Sequence, residues 1–178
     1  MARPANSDFP SFFIGYIIKV EESDLREAFG KHFGEIKEQL YAISEEHSLY
    51  SYAPGKWSIR EVVQHLIDAE RVFGYRAVSI ARGEEAALLP FDENAYAACS
   101  DANRRTWQSL LDEFFQLHHS TQQLFNSFTD DMLARRGISG SNAITVLSIG
   151  YIVIGHILHH LDVLKTRYLI QDKFPAEL

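Results

Sequence analysis

Three histidines, His65, His156 and His160, have the residue type and spacing of a metal site. His156 and His160 lie four residues apart in GHILHHLDVL, so a helix would project both imidazoles from one face, about 6 Å apart along its axis. His65, in PGKWSIREVVQHLIDAE, would add a third nitrogen from another helix. Three protein ligands leave a divalent metal one open position, which is typical of a catalytic site.

Each histidine also has an ordinary structural explanation, because inward imidazoles occur in helical cores without metal. The pair weakens that explanation: two adjacent inward imidazoles repel if protonated and lack partners if dry, and a shared cation solves both problems. His159 is interpreted as a flanking residue. His118 and His119 have no histidine four residues later, which favours structural roles for both.

Other catalytic motifs are missing from the sequence. No glutamate is followed three residues later by a histidine, which argues against a di-iron carboxylate bundle. There is no His-Glu-x-x-His signature, P-loop, Gly-x-Gly-x-x-Gly fingerprint or Gly-x-Ser-x-Gly elbow. Cys99, the single cysteine, has no adjacent histidine, so we interpret it as an inert thiol.

Composition predicts one globular domain in the cytoplasm. The chain has 178 residues, 46% of them hydrophobic, and a formal charge of -7, which argues against a nucleic-acid-binding protein. A lone cysteine excludes an internal disulfide, and no signal peptide is recognisable. The most apolar stretch, Ala143 to Gly155, is shorter than the ~20 residues that span a bilayer, so we expect a buried helix and no membrane partner.

Helical periodicity dominates the chain, and neither strand-like alternation nor a hairpin dipeptide is evident. The apolar spacing predicts an N-terminal aromatic arm over residues 1–22 and a helical domain over 23–178. The expected helices run over residues 23–46, 58–82, 102–128 and 143–170. Long connections at 83–101 and 130–142 separate the later helices. Four long helices with two such connections predict an all-α four-helix bundle.

The second helix has the clearest start signal. Ser58 is the expected N-cap and Glu61, three residues later, its capping-box partner. Trp57 and Val62 occupy the positions of a hydrophobic staple. This start places His65 on the inward stripe of the helix.

Three segments together resemble the DinB-like, or YfiT-like, family of four-helix-bundle metalloproteins. They are PGKWSIREVVQHLIDAE with RVFGYRAVSIARGE, then LPFDENAYA, then GHILHHLDVLKTRYL, and they extend from about Tyr52 to Tyr168. The resemblance implies an up-up-down-down bundle, commonly a homodimer. It also implies a divalent metal, nickel or zinc, bound by His65, His156 and His160.

The resemblance leaves two enzymatic hypotheses open. One is a hydrolase that uses a metal-activated water, and the other is an S-transferase that activates a low-molecular-weight thiol. In both, the substrate is a small molecule. The alternative is a non-catalytic, metal-stabilised or metal-sensing dimeric bundle, in which Asp68 or His118 would serve as a fourth protein ligand.

Several further side chains are candidates for the surroundings of the site. Asp68, three residues after His65, could orient a ligand through a hydrogen bond. Asp92, Glu93 and Tyr96 could line the substrate entrance, because they lie in the long connection after the second helix. Arg76 and Arg82 could bind a carboxylate of a thiol cofactor, although a solvated surface role is favoured for both.

Overall fold

The computed structural model describes residues 2–169, so the predicted ends at 170 and 178 lie outside the described residues. Its four long helices are α2 (Leu25–Tyr41), α3 (Ile59–Ala81), α5 (Trp107–Asn126) and α7 (Val146–Val163), the last continued by a π-helical turn, Leu164–Tyr168. Shorter elements are α1 (Ile14–Ile17), α4 (Glu93–Cys99), α6 (Asp130–Ala134), β1 (Arg136–Ser139) and β2 (Asn142–Thr145). The predicted all-α four-helix bundle with long connections is confirmed.

Side-chain caps fix where the long helices begin. The predicted capping box is present: the Glu61 amide donates to Ser58 Oγ over 3.1 Å, and the Ser58 amide donates to Glu61 Oε2 over 2.7 Å. The helices α5 and α7 begin later than predicted because Thr106 and Thr145 cap them. A threonine oxygen can accept a first-turn amide, which the alanines at the predicted starts cannot do.

Contacts at the two ends of the bundle correct the predicted order of helix directions. Glu45, just after α2, accepts from the Trp107 amide that opens α5, over 2.8 Å. The Tyr168 hydroxyl, just after α7, donates to the Trp57 carbonyl before α3, over 2.8 Å. Arg60, in the first turn of α3, donates to the Glu45 carbonyl over 3.0 Å, so these four helix termini lie at the same end of the bundle. At the other end, Arg26 of α2 donates to the Phe128 carbonyl after α5. Thus α2 and α7 run one way and α3 and α5 the other, which is up-down-down-up in chain order.

Helix α7 is the apolar centre of the bundle. It packs against α1, α2 and α3, and its residues from Val146 to Ile157 are all buried. The segment Val146–Tyr168 is long and apolar enough to cross a membrane, but 72% of its apolar window is buried within the bundle. Such burial is typical of a core helix in a folded domain.

A β-hairpin lies where the sequence predicted only a connection. Strands β1 and β2 pair antiparallel from Arg136 opposite Thr145 to Ser139 opposite Asn142. The two-residue turn is Gly140-Ser141, and Gly140 has a φ of +62°, a conformation that glycine adopts without strain. This dipeptide is a hairpin signal that the sequence prediction missed, since four-residue strands show little alternation. Leu88, in the connection between α3 and α4, pairs with Ser139 of β1, so this connection lies against the hairpin.

Candidate metal centre

The structure brings the three predicted histidines together. His65 Nε2 lies 3.0 Å from His156 Nε2, and His160 Nε2 lies 3.1 Å from the same atom. One ring nitrogen from each residue lies within 4.8 Å of those of the other two. No other group of three metal-ligand side chains of this kind is found within residues 2–169.

Two neighbouring helices position the trio. His65 lies near the start of α3, and His156 and His160 lie near the end of α7. Because the two helices pack against each other in opposite directions, the start of one lies beside the end of the other. The separation of four residues then points both α7 imidazoles toward α3.

Burial keeps the three imidazoles neutral. It lowers the pKa of His65 to about 4, an effect that the Glu93 carboxylate opposes only in part. It also lowers the pKa of His160 to about 3, assisted by His65 and His159. The pKa of His156 is likewise lowered well below its ordinary value, first by burial and then by His160 and His65. Neutral imidazoles present the lone pairs that a metal ion needs.

The hydrogen-bonding capacity of His156 tests whether these residues fit a cation. Its Nε2 carries either one proton or one lone pair, yet it faces both His65 Nε2 and His160 Nε2. It therefore cannot form a good hydrogen bond with both. Tetrahedral ligands about 2.0–2.1 Å from a zinc ion would lie about 3.3 Å apart, close to the two observed separations. The donor set fits one divalent ion with nitrogen ligands.

Aromatic side chains from the N-terminal arm and from the segment before α3 pack against the imidazoles. The rings of Tyr16 and Trp57 lie 5.2 Å from His156 and 5.0 Å from His65, respectively, between centroids. His159 contacts the rings of Tyr16 and His160, which agrees with its predicted flanking position. Trp57, expected to act as a staple, thus lies against a candidate ligand. His160 Nδ1 is buried without a hydrogen-bond partner among the described residues, so packing holds that edge of the ring.

The trio opens into a cavity of about 580 Å³. Its walls come from the N-terminal arm, α3, the connection before α4, the start of α4, the hairpin and α7. The lining residues include Phe13, Tyr16, Trp57, Phe73, Arg76, Phe91, Glu93, Asn94, Ser141, Asn142 and the three histidines. A cavity of this size, with largely apolar walls and a few polar groups, is typical of small-molecule binding sites.

The two predicted alternative fourth ligands have other partners. Asp68 does not line the cavity, and its carboxylate accepts a hydrogen bond from Gln64 over 2.9 Å. Burial raises the pKa of Asp68. His118 is buried on α5, and its Nδ1 lies 3.0 Å from Glu70 Oε1. His119 is exposed.

The three residues predicted to line the substrate entrance, Asp92, Glu93 and Tyr96, lie in different surroundings. Glu93 lines the cavity, whereas Asp92 caps α4 by accepting from the Asn94 amide over 3.0 Å. Tyr96 is exposed and packs against Phe91, outside the cavity lining. Cys99 is exposed at the end of α4 and also lies outside the lining.

Arg76 is the main lining residue whose place the sequence interpretation missed. It was expected on the solvated face, but it is only 7% exposed and lines the cavity. Its position relative to His65, Ala69 and Phe73, at spacings of three and four along α3, was the available signal. Arg82 is exposed at the end of α3, in agreement with its predicted surface role.

Comparisons with known proteins place this geometry in a family context. Residues 24–164 match the sequence profile of the DinB superfamily. A protein of Bacillus licheniformis, provisionally assigned as a metal-dependent hydrolase, is 31% identical over 66% of this chain and 70% of its own length. YfiT of Bacillus subtilis, with the same provisional assignment, is 25% identical over 56% of each chain.

A solved structure of Bacillus subtilis YfiT is similar in fold. It superposes with a TM-score of 0.70 over 92% of this chain and 89% of its own, at 22% identity. That protein is described as a provisional metal-dependent hydrolase with an unusual four-helix bundle topology. The match confirms the fold class of this chain.

Proposed function

The chain belongs to the DinB superfamily, and from this membership we propose that it is a metal-dependent hydrolase of small molecules. His65, His156 and His160 would hold one divalent metal. The observation that carries the proposal is the convergence of three neutral imidazole nitrogens, within 4.8 Å of one another, at the wall of a cavity. Nitrogen ligands suit nickel and zinc alike.

The metal, the three imidazoles and the residues around them have separate roles in this proposal. When bound, a divalent metal supplies a Lewis acid that lowers the pKa of a coordinated water or thiol. The three imidazoles contribute no negative charge, so the full charge of the ion would act on that ligand. Tyr16 and Trp57 pack against the imidazoles and line, together with them, the cavity that would admit the substrate.

An enzyme is favoured over a structural or metal-sensing bundle by the partners of the other ligand candidates. His118 is engaged by Glu70, and Asp68 by Gln64. The cluster within residues 2–169 therefore offers three protein ligands and opens into the cavity. A metal with an open position is the arrangement of catalytic sites.

The test combines metal analysis with turnover. The purified protein should contain about one equivalent of divalent metal and should hydrolyse members of an ester, amide and phosphoester panel. Chelation should abolish hydrolysis, and nickel or zinc should restore it. A metal-loaded protein without activity on any member would count against the hydrolase.

The thiol S-transferase hypothesis is separated by a second assay. Conjugation of monochlorobimane is followed with a panel of low-molecular-weight thiols, with and without chelator. Metal-dependent conjugation without hydrolysis would assign the site to thiol transfer. Size-exclusion chromatography with light scattering tests the predicted homodimer, and cell fractionation tests the predicted cytoplasmic location.

A further inference from the structure

Arg76 is a buried cation in the wall of the cavity. It is 7% exposed on α3, and its Nη2 donates to the Leu89 carbonyl over 2.9 Å. Its Nε is buried and has no hydrogen-bond partner among residues 2–169. Guanidinium groups present five N–H donors in a planar fork, so this one has donor capacity that the described protein does not use.

The charge of Arg76 also lacks a carboxylate partner within the described chain. The other buried arginine of the described chain, Arg60, pairs with Glu45, and the half-buried Arg105 pairs with Glu113. Arg76 forms no such ion pair; instead its Cζ lies 5.8 Å from the ring centroids of both Phe73 and Phe91. Burial lowers its pKa. An unpaired buried charge is costly, and aromatic faces compensate only part of that cost.

Arg76 and the histidine trio face the same space. Phe73 is near both, with its ring centroid 6.2 Å from that of His156 and 5.8 Å from Arg76 Cζ. Both Arg76 and the three histidines line the cavity. One small molecule can therefore touch the guanidinium and the candidate metal centre together.

No anion among the described cavity residues pairs with Arg76, which leaves a bound ligand as the source of one. Glu93 also lines the cavity, but it is exposed and makes no ion pair with Arg76. A planar carboxylate, or a phosphate, matches the guanidinium fork with two parallel hydrogen bonds. The neighbouring Phe73 and Phe91 rings provide apolar contact for the carbon atoms next to such a group.

We propose that Arg76 binds an anionic oxygen group of the substrate, a carboxylate or a phosphate, while the histidine centre acts on another part of the same molecule. This inference rests on the proposed function, since it assigns a substrate class to that site. It makes Arg76 a specificity-determining residue: small molecules with a negative charge and an apolar body are recognised over neutral analogues.

Ligand binding, rather than turnover, tests the proposal. Isothermal titration calorimetry of the purified protein would compare benzoate with benzamide, its neutral isostere, and with phenyl phosphate. We expect at least one anion to bind ~10-fold or more tightly than benzamide, as a charge-assisted hydrogen bond implies. Equal binding of all three ligands would overturn the proposal. The anion with the larger preference over benzamide shows whether a carboxylate or a phosphate is the recognised group.

Variants assign the preference to Arg76. Arg76→Gln removes the charge and the guanidinium fork and should lose the preference, whereas the exposed Arg82→Gln should keep it. Arg76→Lys, which keeps the charge but not the fork, should show a reduced preference and serves if the Gln variant does not fold. An unchanged anion preference in folded Arg76→Gln, or in Arg76→Lys relative to the native protein, would overturn the assignment.

His160→Ala separates this proposal from the function on which it rests. Its anion preference should persist, because Arg76 is intact. Loss of the preference in His160→Ala together with retention in Arg76→Gln would mean that the anion binds the metal, which contradicts the proposal. Anion binding that depends on Arg76 in a protein without any hydrolase activity would instead contradict only the proposed hydrolase.

Discussion

The backbone of Tyr16 lies directly against Gly155, the residue before His156. A Cβ atom at Gly155 would lie 2.1 Å from the Tyr16 carbonyl oxygen. This close approach lets α1 rest on α7 and brings the Tyr16 ring to 5.2 Å from that of His156. The absence of a side chain at Gly155 thus joins the N-terminal arm to the candidate metal centre.

Gly155→Ala should therefore destabilise the protein and loosen the arm. Backbone atoms cannot move aside as a flexible side chain can, so we expect a loss of about 3 kcal/mol in the free energy of unfolding. Urea denaturation would measure it. Gly74→Ala is the matched control, because its added Cβ meets nothing within 4 Å and alanine favours a helix by up to ~1 kcal/mol. Equal stability of both variants would contradict the proposed role of Gly155.

The metal assignment predicts different outcomes for two neighbouring histidines. His160→Ala should reduce the metal content of the purified protein by at least tenfold, since it removes one of three ligand nitrogens. His159→Ala should retain the metal, because His159 only flanks the cluster. Elemental analysis by mass spectrometry measures both, with circular dichroism to verify folding. Equal metal content in the two variants would mean that the wrong imidazole was assigned.

Local patterns were sufficient to predict the bundle and to select the histidine trio. A spacing of four residues on one helix determines where His156 and His160 point, and the capping box of Ser58 and Glu61 fixes the start of α3. Those features depend on a few neighbouring residues, so the sequence displays them directly. The role of the three histidines as metal ligands stays a prediction.

Other features depend on contacts between distant segments. Arg76 looks like a surface residue until the connection carrying Leu89 and Phe91 covers it. The order of helix directions depends equally on long connections, whose course has no short-range signature. A charged residue can thus be buried by a loop more than ten residues away in sequence, and helical periodicity alone does not reveal such burial.

The buried pair of Glu70 and His118 should contribute to stability and not to metal binding. His118 Nδ1 lies 3.0 Å from Glu70 Oε1, and both residues are at most 2% exposed. His118→Leu leaves the carboxylate buried without its partner, which should cost about 3–5 kcal/mol. The double variant with Glu70→Leu should recover much of that loss, because no unpaired polar group remains. Urea denaturation of the native protein, the two single variants and the double variant gives the coupling energy between Glu70 and His118. The metal content should not change in any of them.

A fall in metal content on His118→Leu, in a folded protein, would contradict the separation of this pair from the metal centre. Glu70→Leu alone is the second arm of the cycle. It leaves His118 stacked against Phe33 and Phe114, so a smaller loss than for His118→Leu is expected. Additive losses in the two single variants would mean that the pair does not interact.

Acid should destabilise the protein through Glu22. Burial alone would raise the pKa of this carboxyl, but hydrogen bonds from Lys31, its own backbone and His32 outweigh burial and lower the pKa to about 2. The stabilisation is therefore complete above about pH 4.5, the ordinary value, and disappears as the pH falls through about 2. Glu22→Gln should lose at most about 3 kcal/mol at pH 7 and little at pH 2. Urea denaturation between pH 2 and 7 measures the free energy of unfolding of both proteins. The exposed Glu35→Gln is the control and should follow the native dependence of stability on pH. Parallel pH dependences for Glu22→Gln and the native protein would contradict the prediction.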